Sequence, residues 1–280
     1  MQAVVNHLIQ LQELILIRDE QKVHSGGERS PHLEELDKSI ATMAGQLPED
    51  VRGRLERLVK KDRNVMAPIA NGVCAACGMM LPISLVQAVR MLREIHNCPN
   101  CARMLYFQET GARRLSKRES RLAPPKAGVS RFSAEELMIP RLAAKDFEGA
   151  IGELAKAMES GGFVERADML VEPALRREAI ISTVVDHGLA FPHVRGIEGG
   201  GLALALGISR EGIKAPDGNA TAKIIFFIVI PTAASAFYLK LLAGLTETFR
   251  KEEARKAVLA EKDRDGLWKQ LVRQTRASIK

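Results

Sequence analysis

Four cysteines are present in the 280-residue chain, and all fall into one pattern: Cys74-Ala-Ala-Cys77, then Cys98-Pro-Asn-Cys101. Each CxxC turn brings two thiolates close enough to share a metal ion, and two such knuckles complete a tetrahedron of sulfur around a d10 cation. Disulfide pairing and redox chemistry are the competing uses of such residues. Disulfides are disfavoured because the amino terminus carries acidic residues and amphipathic spacing in place of a continuous apolar run, which places the chain in a reducing, cytoplasmic compartment. Redox chemistry is disfavoured because two CxxC pairs share one short module. Four thiolates leave no coordination position open to water, so the expected Zn2+ is structural. His96, beside the second knuckle, is not needed as a ligand.

The second candidate lies in Leu175-Arg-Arg-Glu-Ala-Ile-Ile-Ser-Thr-Val-Val-Asp-His-Gly-Leu-Ala-Phe-Pro-His193. A helix end carrying Arg176, Arg177 and Glu178 is followed by two hydroxyls, Ser182 and Thr183, and a loop with Gly188. A short apolar piece then ends at Pro192-His193. Proline fixes the approach of the following histidine and can present it at a pocket rim. A largely unprotonated imidazole is a competent phosphoryl acceptor at neutral pH, and an arginine nearby would neutralise the phosphoryl oxygens. The residues alone leave a second reading open, a structural histidine beside a turn. His187 sits in the loop and is not a substitute.

These residues need positioning elements, and three segments with different periodicities supply them. Residues 1–64 read as a helical coiled-coil hairpin: Val4, Leu8, Leu11 and Ile15 are spaced 4, 3, 4, and Leu33, Leu36, Ile40, Met43 and Leu47 are spaced 3, 4, 3, 4. Gly26–Gly27 gives room to reverse, Ser30-Pro31 opens the second helix, and Pro48–Lys61 forms a third with Val51, Leu55 and Leu58 inward. Residues 65–107 hold the cysteine module. Residues 108–131 lack periodicity and contain Pro-Pro, so they read as a linker. From Phe132 to residue 280 helix and strand alternate: Lys145–Ser160 helical with Phe147, Ile151, Leu154 and Met158 on one face, Gly201–Ile208 and Ala222–Ile230 strand-like, and Ala236–Phe249 helical. That alternation predicts an α/β layer fold around a largely buried sheet.

Two resemblances add to this reading. Ile69-Ala-Asn-Gly-Val-Cys74, CGMMLP and the run Cys98 to Tyr106 resemble the C4-type zinc-ribbon family, in which a long helical hairpin precedes the ribbon; the likeness covers residues 1–107 and implies an interaction module. Ala102 stands where that family usually has glycine. The second half resembles the enzyme IIA domains of the fructose, mannitol and nitrogen-related phosphotransferase systems. Their pattern is met by Arg177-Glu178, Ser182-Thr183, Gly188, Ala190 and Pro192-His193, and the match extends through Pro216-Asp217-Gly218, Ile230-Pro231 and the helix Tyr238–Ala243. The resemblance implies a mixed sheet flanked by helices, with His193 at the edge of a shallow, partner-accepting depression. It makes His193 the phosphorylated residue and Arg177 the phosphate-facing arginine, in a transfer without metal. The expected donor is an HPr-like protein and the acceptor an enzyme IIB in trans. Tyr238 stands where the family usually has a second histidine.

Composition sets outer limits. Apolar residues at 46% and charged residues at 27% are those of a globular chain. The most apolar stretch, Ile224–Ile230, is far shorter than the ~20 residues of a membrane helix, so it reads as a buried strand and no span is expected. The net charge of +7 is partly concentrated in Arg113–Arg121, where five of nine residues are basic. Without interleaved aromatics to stack on bases, this run reads as a solvated linker ahead of an anion-binding patch. Two functions follow: a phosphohistidine carrier acting in regulation or in sugar uptake in trans, and, as the alternative, a non-catalytic adaptor binding protein or nucleic acid through the zinc-ribbon hairpin.

Overall fold

The heptad spacing of the first segment becomes helix α1 (Gln2–His24), which buries Leu8, Leu11 and Ile15. It packs against α2 (Pro31–Gly45), which buries Leu33 and Leu36. His7 Nε2 lies 2.8 Å from the Met43 carbonyl and Arg18 reaches Asp37, so the two helices run antiparallel. The computed structural model describes residues 1–25, 31–61, 64–107, 127–197 and 201–279, with backbone only at 233, 235 and 236. The expected turn at Gly26–Gly27, the Ser30 cap and the basic run Arg113–Arg121 lie outside the described residues. Pro48 precedes α3 (Glu49–Val59), whose first turn carries Glu49 and Asp50, the charge that a helix amino terminus favours.

The cysteine module is a three-stranded sheet with a helix. Strand β1 (Met66–Ala70) pairs antiparallel with β2 (Val73–Cys74) and parallel with β3 (Met104–Phe107), and α4 (Ile83–Met91) lies between β2 and β3 in the chain. Hairpin and sheet share one core: Leu8, Leu11, Val51 and Leu55 pack with Val65, Met66, Ile95 and Met104. Each such buried side chain contributes roughly 1.5–3 kcal/mol. Gln12 Oε1 accepts the Met66 N–H at 2.7 Å, and Arg103 Nε donates to the Asn64 carbonyl at 2.8 Å. Two stretches that the periodicity separates therefore fold as one unit, Met1–Thr110.

The second unit, Gly111–Lys280, is built on a mixed sheet. Its strands are β4 (Met138–Ile139), β5 (Val184–Val185), β6 (Leu189–Ala190), β7 (His193–Ile197), β8 (Ala203–Lys214) and β9 (Thr221–Pro231). The order is β4-β8-β9-β6-β5, with β7 also paired to β9. Strand β9 is central and its residues Ile224–Ile230 are wholly buried, as a continuous apolar run requires. Helices α5 (Phe147–Ser160), α6 (Asp168–Glu178), α7 (Ser235–Phe249), α8 (Glu252–Ala260) and α9 (Arg264–Thr275) flank the sheet. Asp146 caps α5 by accepting the Gly149 N–H at 2.7 Å, and Phe147, Ile151, Leu154 and Met158 form its buried face. Among the described residues no helix is long and apolar enough to cross a membrane.

Two details depart from the sequence expectation. Strand β8 runs past Ile208 to Lys214 through a register shift between Ile208 and Ile213. The polar Arg210 and Glu211 hide this extension because they are exposed on the shifted stretch. Gly128–Arg131, assigned to the linker, form a 3-10 turn that buries Val129.

Candidate functional site

The four cysteines converge at one end of the β1–β3 sheet. Each knuckle closes by a local bond, Gly78 N–H to the Cys74 carbonyl at 2.8 Å and Ala102 N–H to the Cys98 carbonyl at 2.9 Å. Both closing residues are left-handed, with φ +75 at Gly78 and +61 at Ala102. The turn explains why glycine suits this position, and Ala102 adopts the same backbone at a cost of roughly 1–2 kcal/mol. The Sγ atoms of Cys74 and Cys101 lie 3.8 Å apart, those of Cys77 and Cys98 3.7 Å apart, and all four fall within 4.8 Å of one another. Sulfurs held about 2.3 Å from a common centre in a tetrahedron are about 3.8 Å apart. The separations are far beyond a disulfide bond of about 2.05 Å. The set therefore fits a structural Zn2+, which would cross-link the knuckles and leave no reactive position. As thiols, Cys74 is pushed up to about 12 by burial. At Cys77 burial is outweighed by the Met79 N–H, Asn100 and the neighbouring thiols, which bring it down to about 7. A cation held by all four would replace these protons.

His193 opens strand β7, and its surroundings come from four elements. Turn residues His187 (φ 65) and Gly188 (φ 73) reverse the chain between β5 and β6; a side chain at Gly188 would meet the Thr221 carbonyl at 3.4 Å. The segment Phe191-Pro192-His193 is then fastened on both sides. Phe191 N–H donates to the Thr183 carbonyl at 3.2 Å, and Ile228 N–H donates to the Pro192 carbonyl at 3.0 Å. The Phe191 ring stacks on Phe226, with centroids 5.3 Å apart. His193 Nδ1 lies 3.0 Å from the Phe191 carbonyl and 3.2 Å from Tyr238 Oη. A carbonyl can only accept, so Nδ1 carries the proton and Nε2 holds the lone pair. The Tyr238 ring stands 5.0 Å from the imidazole, centroid to centroid and tilted by 43°, and the Arg195 guanidinium lies over the Tyr238 ring, 4.7 Å from its centroid.

Arg177 closes α6, half-buried, and donates from Nη1 to the Ile181 carbonyl at 2.9 Å. Its neighbour Glu178 is buried and clamps the following loop. One carboxylate oxygen accepts from Ser182 Oγ at 2.8 Å and Thr183 N–H at 2.7 Å, the other from Thr183 Oγ1 at 2.5 Å. Burial pushes the Glu178 carboxyl up, against the opposing pull of those donors and of Arg177. The Arg-Glu and Ser-Thr pairs of the sequence thus form a scaffold that holds the chain leading to His193.

His193 is buried rather than presented to solvent: it is 1% exposed, as is Tyr238. Two sizeable cavities of this unit do not include it. One of about 570 Å³ is bordered by Arg141, Lys145 and Arg210, and one of about 520 Å³ by Phe132, Phe237 and Leu241. The Tyr238 ring, carried by α7, packs against the imidazole. Arg195 was not singled out from sequence, although strand period alone places residue i+2 beside His193 on one face. The Glu178 clamp was equally hidden, because the spacing showed the residue types but not their bonds.

The family described as phosphoenolpyruvate-dependent sugar phosphotransferase system, EIIA 2, matches residues 131–273, just over half of the chain. The C4-type zinc ribbon domain matches residues 73–105. The chain is 31% identical over 146 residues to a nitrogen regulatory protein of Bradyrhizobium diazoefficiens, covering 50% of this chain and 92% of that protein. It is 28% identical over 126 residues to the PTS system fructose-specific EIIABC component of Bacillus subtilis, covering 44% of this chain and spanning only 20% of that relative. Among solved structures, nitrogen regulatory protein IIA-Ntr from Neisseria meningitidis aligns with 20% identity over 50% of this chain and 96% of its own, at a TM-score of 0.44. Over its second unit, the chain belongs to the EIIA 2 family of the phosphoenolpyruvate-dependent sugar phosphotransferase system.

Proposed function

We propose that the second unit is a phosphohistidine carrier that takes a phosphoryl group on Nε2 of His193 from an HPr-like donor and passes it to an enzyme IIB-type acceptor in trans. The observation that carries this reading is the 3.0 Å approach of Nδ1 to the Phe191 carbonyl. It leaves Nε2 as the nucleophile with its lone pair available. The donor's N–P bond breaks as the Nε2–P bond forms, and the donor ring leaves with the electron pair of the broken bond. The proton stays on Nδ1, donated to the Phe191 carbonyl, so no proton has to move. Arg177, in the last turn of α6 and bonded to the Ile181 carbonyl of the loop that follows, is the proposed phosphate-facing cation. The relatives' names, one nitrogen regulatory and one fructose-specific, support either a regulatory role or sugar uptake.

A second reading rests on the 1% exposure of His193. In it the unit is a docking platform that no longer transfers phosphate, and the ribbon, which exposes Met80, Ile83 and Met91, binds a protein or nucleic acid. Incubation with phosphoenolpyruvate, enzyme I and HPr separates the two. The carrier reading expects an acid-labile mass increase that disappears in His193→Ala. No incorporation, with donors active on another enzyme IIA, leaves the platform.

A further inference from the structure

We propose that Arg195 is a catalytic residue of this site: it rests on the Tyr238 ring while His193 is covered, and binds the phosphoryl oxygens once the group is on Nε2. This inference rests on the carrier reading of His193.

Strand β7 provides the placement. Its alternation puts His193 and Arg195 on the same face, ahead of the irregularity that the strand shows between Arg195 and Ile197. Both meet one object, the Tyr238 ring, at 5.0 Å for the imidazole centroid and 4.7 Å for the guanidinium carbon. Imidazole and guanidinium thus share one neighbour, the phenol, whose Oη lies 3.2 Å from Nδ1. With the imidazole 1% exposed, no phosphoryl group reaches Nε2 unless part of this cover moves. His193 is tied to the backbone through Phe191, and its strand is hydrogen-bonded to β9. The side chains of Tyr238 and Arg195 are the parts that can turn without breaking the sheet.

The chemistry of the exchange follows from charge. A guanidinium on an aromatic face makes a modest cation–π contact, whereas the same planar fork on a phosphoryl group makes two parallel charge-assisted bonds. An incoming phosphoryl group therefore draws Arg195 off the ring and frees Tyr238 to swing. Arg177 is held differently, by its bond to the Ile181 carbonyl on the loop after α6. The two arginines thus approach from separate elements, one at a helix end and one on the acceptor's own strand.

The test uses the full chain with zinc and two phosphoryl donors. Phosphorylated HPr reports docking and chemistry together. Phosphoramidate, a small donor that releases ammonia, reports chemistry at the imidazole alone. Arg195→Ala is expected to slow incorporation at His193 by roughly 100-fold with both donors, the usual loss for a removed transition-state donor. Arg195→Lys, which keeps the charge without the fork, should fall between. Inorganic phosphate should shift the His193 ring nitrogen signals of the wild type in NMR, and Arg195→Ala should abolish that shift. Equal or faster labelling of Arg195→Ala by phosphoramidate, with the phosphate-induced shift retained, overturns the assignment and leaves the carrier reading standing. A wild type labelled by neither donor overturns both.

Discussion

The cysteine cluster and the His193 site are both small assemblies, yet they are built in different ways. Each knuckle closes on itself through a bond between residues four apart, Gly78 to Cys74 and Ala102 to Cys98, and a small sheet brings the two together. The histidine site adds contacts from far along the chain to its local ones. Tyr238 meets His193 across 45 residues, and the Glu178 clamp, the Phe191 carbonyl and Arg195 arrive from a helix, a loop and a strand. A site made of local turns survives changes in its surroundings as long as its ligands remain. A site made of tertiary contacts depends on residues far along the chain, as His193 does on Tyr238.

The largest effect that would break this comparison is metal removal. Chelation or Cys98→Ser should cost the first unit on the order of 10 kcal/mol and unfold it, while amide exchange in the second unit stays unchanged. Coincident loss of protection in both units would contradict the independence of the two centres. Next, Glu178→Ala should destabilise the second unit by roughly 3 kcal/mol, because it leaves the Thr183 N–H and hydroxyl without their acceptor. Denaturant melts followed within that unit would read this. The same carboxyl makes a pH prediction. Its folded pKa lies above the ordinary 4.5, so the folded state binds the proton more tightly. Its contribution is full below about 4.5 and declines as pH rises through the folded value. Relative to Glu178→Gln, the wild type should therefore lose stability as pH climbs above 4.5, and parallel curves would refute the burial argument.

Smaller effects sharpen the comparison. Tyr238→Phe removes the hydroxyl at Nδ1 while keeping the ring, and should lower the melting transition by about 1 kcal/mol of stability. The knuckles offer an internal control: Gly78→Ala should cost the ribbon about 1 kcal/mol through left-handed strain alone, since no atom lies within 4 Å of its would-be side chain. Ala102→Gly should stabilise the ribbon by about 0.5–1 kcal/mol, with zinc competition titrations as the readout. Opposite signs at the two positions are the expected result.

Residues 74–101 were legible because spacing alone dictates a knuckle, and the central strand was legible because Ile224–Ile230 can only be buried. The helical face of α5 followed from its period. Strands β4, β5 and β6 have two residues each and carry no periodicity to read. Helices α8 and α9 bury few residues per turn, Val258 and Leu267 among them, so their apolar pattern is sparse. At the histidine, residue types and order pointed to the chemistry, and family resemblance assigned the roles. Its burial depended on where α7 sets the Tyr238 ring, which no local pattern specifies.

The central claim is that the backbone around His193 leaves Nε2 as the phosphoryl acceptor. Phosphorus NMR of the protein phosphorylated through enzyme I and HPr tests it most directly, because the two imidazole nitrogens give distinct phosphohistidine signals. The account predicts one signal, from phosphoryl on Nε2 of His193, absent in His193→Ala. Phosphoryl on Nδ1, on another residue, or on none while the donors label a second enzyme IIA would contradict it.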